Sequence, residues 1–314
     1  MRIAATLLIL SGIAWAQESL APELQPFKRL FGSSWLLKSS ENRFPERMFV
    51  DPGATGGHVR FRSYKARRGD DFLLDETYVF WHPGEQKLRT LKFFKGGAVA
   101  WGSAATEPET IRLDRPTVGL RDEYFFGNRK KGAFTRMTSL VIKDLSVPQT
   151  HADGRREKTG PGQGSVRNRN KSAQLAPVAR LIGRWDTNGK GFTGRHEYSW
   201  TASGRAIASK TFMRRGEEAE RLLFFGLHYW DPAQESIAIL LLRKGRVSLG
   251  TLKVDGDKWA YAWTTHAAKG ATKVREAMHF PDKDTHVCAI EVARDGKWVP
   301  VGETTNKRDT QAKD

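Results

Sequence analysis

One stretch of this chain occurs twice, and that limits its architecture more than any other feature. Leu24-Gln25-Pro26-Phe27-Lys28-Arg29-Leu30-Phe31-Gly32 is answered by Leu175-Ala176-Pro177-Val178-Ala179-Arg180-Leu181-Ile182-Gly183 at a constant offset of 151. Leucine, proline, arginine, leucine and glycine recur in place, Phe27 and Phe31 become Val178 and Ile182, and a tryptophan follows each copy, Trp35 and Trp185. Self-similarity at one offset marks a duplicated unit. Further along, Trp81-His82-Pro83 is answered by Trp230-Asp231-Pro232 and Lys95-Gly96 by Lys244-Gly245, both at offset 149. The chain is therefore predicted to hold two copies of one fold.

Each copy opens alike. Pro26 and Pro177 suit the first turn of a short helix, the apolar residues after them share one helical face, and Gly32 and Gly183 can take the positive φ that ends it. A strand carrying the tryptophan follows. Beyond it, the second copy alternates strands with turn signals: His196 to Thr201, Arg205 to Met213, Arg221 to Trp230, Ser236 to Arg243, Val247 to Val254, Trp259 to His266, Thr272 to Phe280, His286 to Ala293 and Trp298 to Thr304. Between them lie Ser203-Gly204, Lys244-Gly245, Asp255-Gly256, Asp295-Gly296 and similar pairs. The first copy shows the same punctuation, with strands at Val59 to Tyr64, Phe72 to Trp81, a hairpin from Leu91 to Trp101, Ile111 to Leu113, Tyr124 to Phe126 and Phe134 to Ile142. Gly132 and Asn128 mark turns there. Consecutive strands without long helices imply an all-β chain of two tandem antiparallel up-and-down barrels, since closing the sheet removes its edges.

Residues 144–173 change character, with Pro148, Gly154, Gly160, Gly162 and Gly164 among arginines and lysines. This composition predicts a flexible basic linker. The first barrel then spans 17–143, the second 174–309, and 310–314 form a disordered tail. Arg2, the apolar run Ile3 to Ala14 and Ala14-Trp15-Ala16 before Gln17 read as a signal peptide over 1–16. The mature chain is thus expected in the periplasm or outside the cell, with no integral membrane segment after cleavage. Cys288 is the only cysteine, so no intrachain disulfide can form and packing must supply stability. The net charge of +17 invites nucleic acid as a partner. Its excess is spread over both halves, with the densest clusters, Lys65 to Arg68 and Arg129 to Lys131, in turns, so a solvated basic surface is expected instead.

The short helix, the Gly-x-Trp on the first strand and the meander of eight or more strands resemble the calycin superfamily, the lipocalins and their bacterial lipocalin-like relatives. Asp295-Gly296-Lys297-Trp298-Val299-Pro300, with Arg308 beyond, looks like the closing strand of secreted bacterial lipocalin-like domains. In lipocalins that tryptophan packs at the closed end beneath a basic residue of the last strand, a match for Gly183-Arg184-Trp185 and Arg308. Gly32-Ser33-Ser34-Trp35 has one residue more. The resemblance implies a central cavity and a small, largely apolar ligand. Gly183-Arg184-Trp185 through Gly189-Lys190-Gly191 is also similar to the Gly-x-Trp-x-Gly-x-Gly of nitrobindin-type haem barrels. These bind haem through a late histidine, and here His266, His279 and His286 are late.

Catalytic motifs are wanting. His196-Glu197 lacks the second histidine of a zinc protease, Gly160 to Ser165 lacks the lysine of a phosphate loop, and no Gly-x-Ser-x-Gly elbow occurs. A hairpin at Pro281 to Asp284 would set His279 opposite His286, two imidazoles without an assured third ligand. No metal or cofactor is therefore predicted, and no catalytic residue. The leading expectation is a non-enzymatic protein that binds a small apolar or amphipathic ligand within a barrel. Trp185, His196, Tyr198, Trp200, Phe225, Leu227 and Tyr229 are the candidate contacts, although sequence does not decide which strand face points inward. Two alternatives stand beside it: an interaction module using its basic exterior on anionic polymers, and a haem-binding barrel or barrel enzyme. Hollow and side-chain-filled barrels remain equally open.

Overall fold

A computed structural model describes residues 19–39, 45–66, 71–127, 133–142, 145–157 and 171–311. The predicted signal peptide, most of both basic clusters, the turn markers Asn128 and Gly132 and the centre of the linker lie outside the described residues. Strands β1 to β10 are Ser34–Lys38, Glu46–Pro52, His58–Ala66, Asp71–His82, Lys87–Phe94, Val99–Glu107, Thr110–Arg115, Leu120–Phe125, Ala133–Ile142 and Leu145–Glu157. Strands β11 to β20 are Gly183–Gly189, Phe192–Trp200, Ala206–Arg214, Arg221–Asp231, Ser236–Arg243, Arg246–Asp255, Lys258–Ala267, Gly270–His279, Thr285–Arg294 and Lys297–Arg308. Each set of ten forms a closed antiparallel meander, β1 pairing with β10 and β11 with β20. No described helix is long and apolar enough to cross a membrane.

The expected helices are 3-10 helices. The first spans Pro22–Leu30, so Pro26 lies inside it rather than in its first turn, and the second copy has two pieces, Ala173–Leu175 and Val178–Leu181. The reason is the spacing of the apolar residues. Leu24, Phe27 and Leu30, like Leu175, Val178 and Leu181, recur every third position and are fully buried, which suits three residues per turn. Gly32 and Gly183 do take positive φ, 74° and 113°.

These helices plug one end of each barrel over the tryptophan. Trp35 Nε1 donates to the Leu30 carbonyl at 2.9 Å and Trp185 Nε1 to that of Leu181 at 2.7 Å. The last strand returns an arginine over each indole. Arg308 lies 4.2 Å from the Trp185 ring and donates to the carbonyls of Ile182 and Arg180, both at 2.7 Å. Arg156 lies 5.1 Å from Trp35 and donates to the Arg29 carbonyl at 3.2 Å.

Arg156 belongs to β10, and this corrects the domain limits. Residues 145–157, assigned by composition to the linker, close the first barrel. Their polar, glycine-containing sequence misleads because the inward positions must be small. Ala152 is buried, and a Cβ on Gly154 would stand 2.5 Å from the Phe134 ring. Pro148 sits at a register shift in the ladder, one of the few strand sites that tolerate it.

The barrels are also not independent bodies on a tether. Besides one apolar core in each, a third cluster joins the outer faces of β4 and β5 to those of β14, β15 and β16, uniting Tyr78, Phe80, Leu91 and Phe93 with Phe225, Leu227, Tyr229, Leu240 and Leu242. Tyr78 stacks on Phe225 at 5.8 Å between centroids, and Phe93 meets Tyr229 edge-on at 5.5 Å. The fully buried Glu76 accepts bonds from the Tyr78 hydroxyl at 2.9 Å and the Ser203 amide at 3.2 Å, the latter from the other barrel. Strands buried on both faces read as continuous apolar runs, as Ile237 to Leu242 does.

Truncating Arg308 to alanine orphans two carbonyls and uncovers the indole, an expected loss of roughly 2–4 kcal/mol in urea unfolding, with a smaller loss for Arg156→Ala. Phe225→Ala should cost about 3–5 kcal/mol. Because that ring is shared, calorimetry should show one transition in the parent protein splitting into two in the variant.

Candidate functional site

The two interiors differ. In the first barrel, apolar side chains from Phe27, Trp35, Phe61 and Phe134 fill the plugged end. Toward the other end three ion pairs occupy the interior: Lys92 with Asp75 at 2.8 Å and Arg115 with Asp122, each between neighbouring strands, and Arg136 with Glu46 through two bonds of 2.6 Å. Burial alone would raise the Asp122 carboxyl, but Arg115, Lys92 and Arg136 outweigh it and hold that group below the ordinary carboxylate range.

The second barrel is hollow. A cavity of about 380 Å³ runs inside it, above the plugged end. Its walls carry Phe192, Phe212, Phe224 and Trp263 beside Ser209, Thr211, Ser248 and Thr304, with Arg243 and Arg246 flanking the tight turn between β15 and β16. Three histidines face inward: His196, His228 and His286. Burial lowers them, His196 and His228 to about 4 and His286 to about 3, with His196, Arg308 and Arg180 adding to the last. His196 Nδ1 lies 3.0 Å from the Thr211 hydroxyl, and His228 Nε2 lies 3.4 Å from that of Tyr261. Glu276 also faces the cavity. Desolvation pushes its carboxyl up to about 7, against the small opposing effect of a hydrogen bond with the Cys288 thiol.

Of the seven residues predicted from sequence, two line this cavity, His196 and Tyr198. Trp185 is fully buried in the floor beneath Arg308, and Trp200 packs on the same apolar core, with the Lys171 ammonium 5.5 Å from its ring. Phe225, Leu227 and Tyr229 point the other way and are spent on the contact between barrels. Their strand presents Phe224 and His228 inward, and a shift of one residue along a strand exchanges the two faces. The imagined His279–His286 pair does not form: His279 faces Val287 across the ladder and is exposed, while His286 is buried within. Among the described residues no group of three or more His, Cys, Asp or Glu side chains could hold a metal ion.

Sequence reasoning missed His228, Tyr261, Trp263 and Glu276. The alternation of β17, Trp259-Ala260-Tyr261-Ala262-Trp263, placed three aromatic rings on one face and was the available signal.

Cys288, His286 and Asn306 meet in the cavity wall, Cys288 Sγ lying 3.4 Å from His286 Nδ1 and Asn306 Nδ2 lying 3.3 Å from the same nitrogen. The composition is that of a thiol hydrolase triad, but the geometry is not. Thiol and amide crowd one ring nitrogen, whereas a triad needs the orienting group on the other. Burial and then the neighbouring Glu276 raise the thiol well above its ordinary value, so the nucleophilic thiolate is withheld.

The titratable groups of the cavity pull in opposite directions. As pH falls below 6.5 the unfolded chain protonates its histidines, whereas His196 and His228 in the barrel refuse the proton until about 4, so acid destabilises the fold across that window. The folded Glu276 keeps its proton up to about 7 while the unfolded one releases it near 4.5, so stability is lost as pH rises between them. Glu276→Gln removes only the second effect. In urea titrations the variant should match the parent below pH 4.5 and exceed it above pH 7, by at most about 3 kcal/mol. Equal stabilities at pH 8 would contradict the assignment.

No family model matches the sequence, and no curated protein does. Among solved structures the chain is similar to Rv2717c from M. tuberculosis, at 13% identity over 45% of this chain and 99% of that one, with a TM-score of 0.35. It is similar to the S-type phycobiliprotein lyase CPES from Guillardia theta at 14% identity, over 48% and 100% of the two chains, with a TM-score of 0.30. It is also similar to a DUF3598-family protein of unknown function from Nostoc punctiforme at 16% identity, over 91% and 99%, with a TM-score of 0.23.

Proposed function

We propose that the second barrel binds one small molecule with an apolar or amphipathic body, and that the first barrel is its rigid support. The observation that carries this reading is the cavity of about 380 Å³, sealed at one end by Trp185 and the 3-10 plug and lined by aromatic rings with a few polar groups. That size and lining are those of small-molecule sites. A catalytic role finds no support in the wall, where the thiol is kept protonated and the imidazoles neutral. The apolar run before Gln17 supports an exported setting, to be checked by N-terminal sequencing of the mature protein.

A polarity-sensitive apolar dye such as Nile red should bind with one site per chain and quench the tryptophan emission. Leu241 lines the cavity, and Leu241→Trp fills it without touching the surface. The expected outcome is at least about a tenfold weaker dye affinity at a little-changed melting temperature. Unchanged binding by a folded Leu241→Trp protein would place the dye elsewhere and remove the proposal.

A further inference from the structure

The duplication allows the two interiors to be superposed residue by residue along the hydrogen-bonded ladders. Trp35 pairs with Arg156 and Trp185 with Arg308. Stepping from there through the paired strands sets Arg136 against Cys288, Asp122 against Glu276, Leu113 against Tyr261 and Arg115 against Trp263. The opposite direction sets Glu46 against Gly194, through the pairs Trp35 with Met48 and Trp185 with His196. The offset of 149 sets Asp75 against Phe224 and Lys92 against Leu241. Both routes agree where they meet, at Leu88 and Ile237.

Laid out this way, the three ion pairs of the first barrel have three fates. Lys92 with Asp75 becomes Leu241 with Phe224, both charges gone. Arg136 with Glu46 becomes Cys288 with Gly194, both charges gone and much volume vacated. Arg115 with Asp122 becomes Trp263 with Glu276, and here only the cation is gone. Asp122 has Arg115, Lys92 and Arg136 around it, whereas all three positions near Glu276 are uncharged. Among the described residues no basic side chain forms an ion pair with Glu276. Breaking one side of a buried pair is strongly unfavourable, more so than losing both.

We propose, on the reading of the second barrel as a binding site, that its ligand carries a basic nitrogen, an ammonium or amidinium, which takes the place of the missing arginine at Glu276. An ammonium brings donors and no acceptors, and Glu276 accepts. Tyr198, Tyr261 and Trp263 line the same cavity with rings of the kind that attract cations, while the neutral histidines leave the carboxyl without a competing cation. Arg243 and Arg246 stand at the mouth, where water and salt screen their charge.

Phenylbutylamine, phenylbutanol and phenylbutyrate share one apolar body and differ in the head group. Titrated calorimetrically into the full chain at pH 8, the amine should bind at least about tenfold more tightly than the alcohol, and Glu276→Gln should erase that preference while leaving the alcohol's affinity within about twofold. Trp263→Arg, which rebuilds the pair of the first barrel, should abolish amine binding and raise the melting temperature. An amine no tighter than the alcohol, or a preference that survives Glu276→Gln, overturns the proposal while the ligand cavity stands. Phenylbutyrate binding most tightly, with loss in Arg243→Ala, overturns it in favour of an anion held at the mouth. Binding of none of the three, with Nile red also excluded, removes the cavity reading itself.

Discussion

An arginine laid across a tryptophan holds each barrel shut. Arg308 belongs to the last strand, Trp185 to the first, and the carbonyls of Arg180 and Ile182 to the plug between them, so one guanidinium ties the three segments that must meet for closure. The ladder between β11 and β20 supplies backbone bonds, and this contact, together with the Trp185 indole bonded to the Leu181 carbonyl, fixes where the plug sits. Gly183 is part of the same device. It combines a positive φ with a space so close that a Cβ would stand 3.2 Å from Arg308 Nη1. Sealing this end leaves the opposite rim as the route into the cavity. The same arrangement recurs with Arg156 and Trp35, which explains why the duplicated stretch is the part of the two copies most alike: it is the part that geometry constrains most tightly.

Elsewhere the copies were free to diverge, and the interior shows how. A barrel of ten strands encloses more volume than short side chains fill. The first barrel closes that volume with long charged pairs inside it; the second leaves it open with Leu241, Cys288 and Gly194. Outside, both copies devote one face to each other. Phe225, Leu227 and Tyr229 are therefore structural on the same strand that turns His228 toward the cavity, and the filled barrel packs against the wall of the hollow one.

Fold class, the duplication, and all nine strands assigned beyond Trp185 were legible because turns and period-two alternation are local signals. Three things were not. The strand β10 hid behind polar residues, since its inward positions must be small to admit Phe134, and smallness looks like linker composition. The contact between barrels left its trace in the unbroken apolar run of β15, which alternation alone cannot explain, but a run does not name its partner. Facing was lost on β14, where Phe224, Phe225, Leu227 and Tyr229 are apolar on both sides and only His228, hidden among them, marks the interior. His196 and Tyr198 share the inward face of a strand that has one apolar and one polar face, and so line the cavity.

Glu276 shows why a site can escape a sequence reading altogether. Nothing near it in the chain marks it, since Val274, Arg275 and Ala277 make an ordinary strand. Its meaning lies in what stands across the ladder, and in what stood there in the other copy. A carboxyl retained where its cation has been replaced by an indole is costly to the folded chain at neutral pH, and stability alone would favour glutamine or leucine. A second copy that no longer needs to be stable by itself, because the first is packed against it, can bear that cost. The duplication thus separates two demands that conflict in a single barrel: one interior satisfies its charges internally, and the other leaves a charge open to be matched from outside.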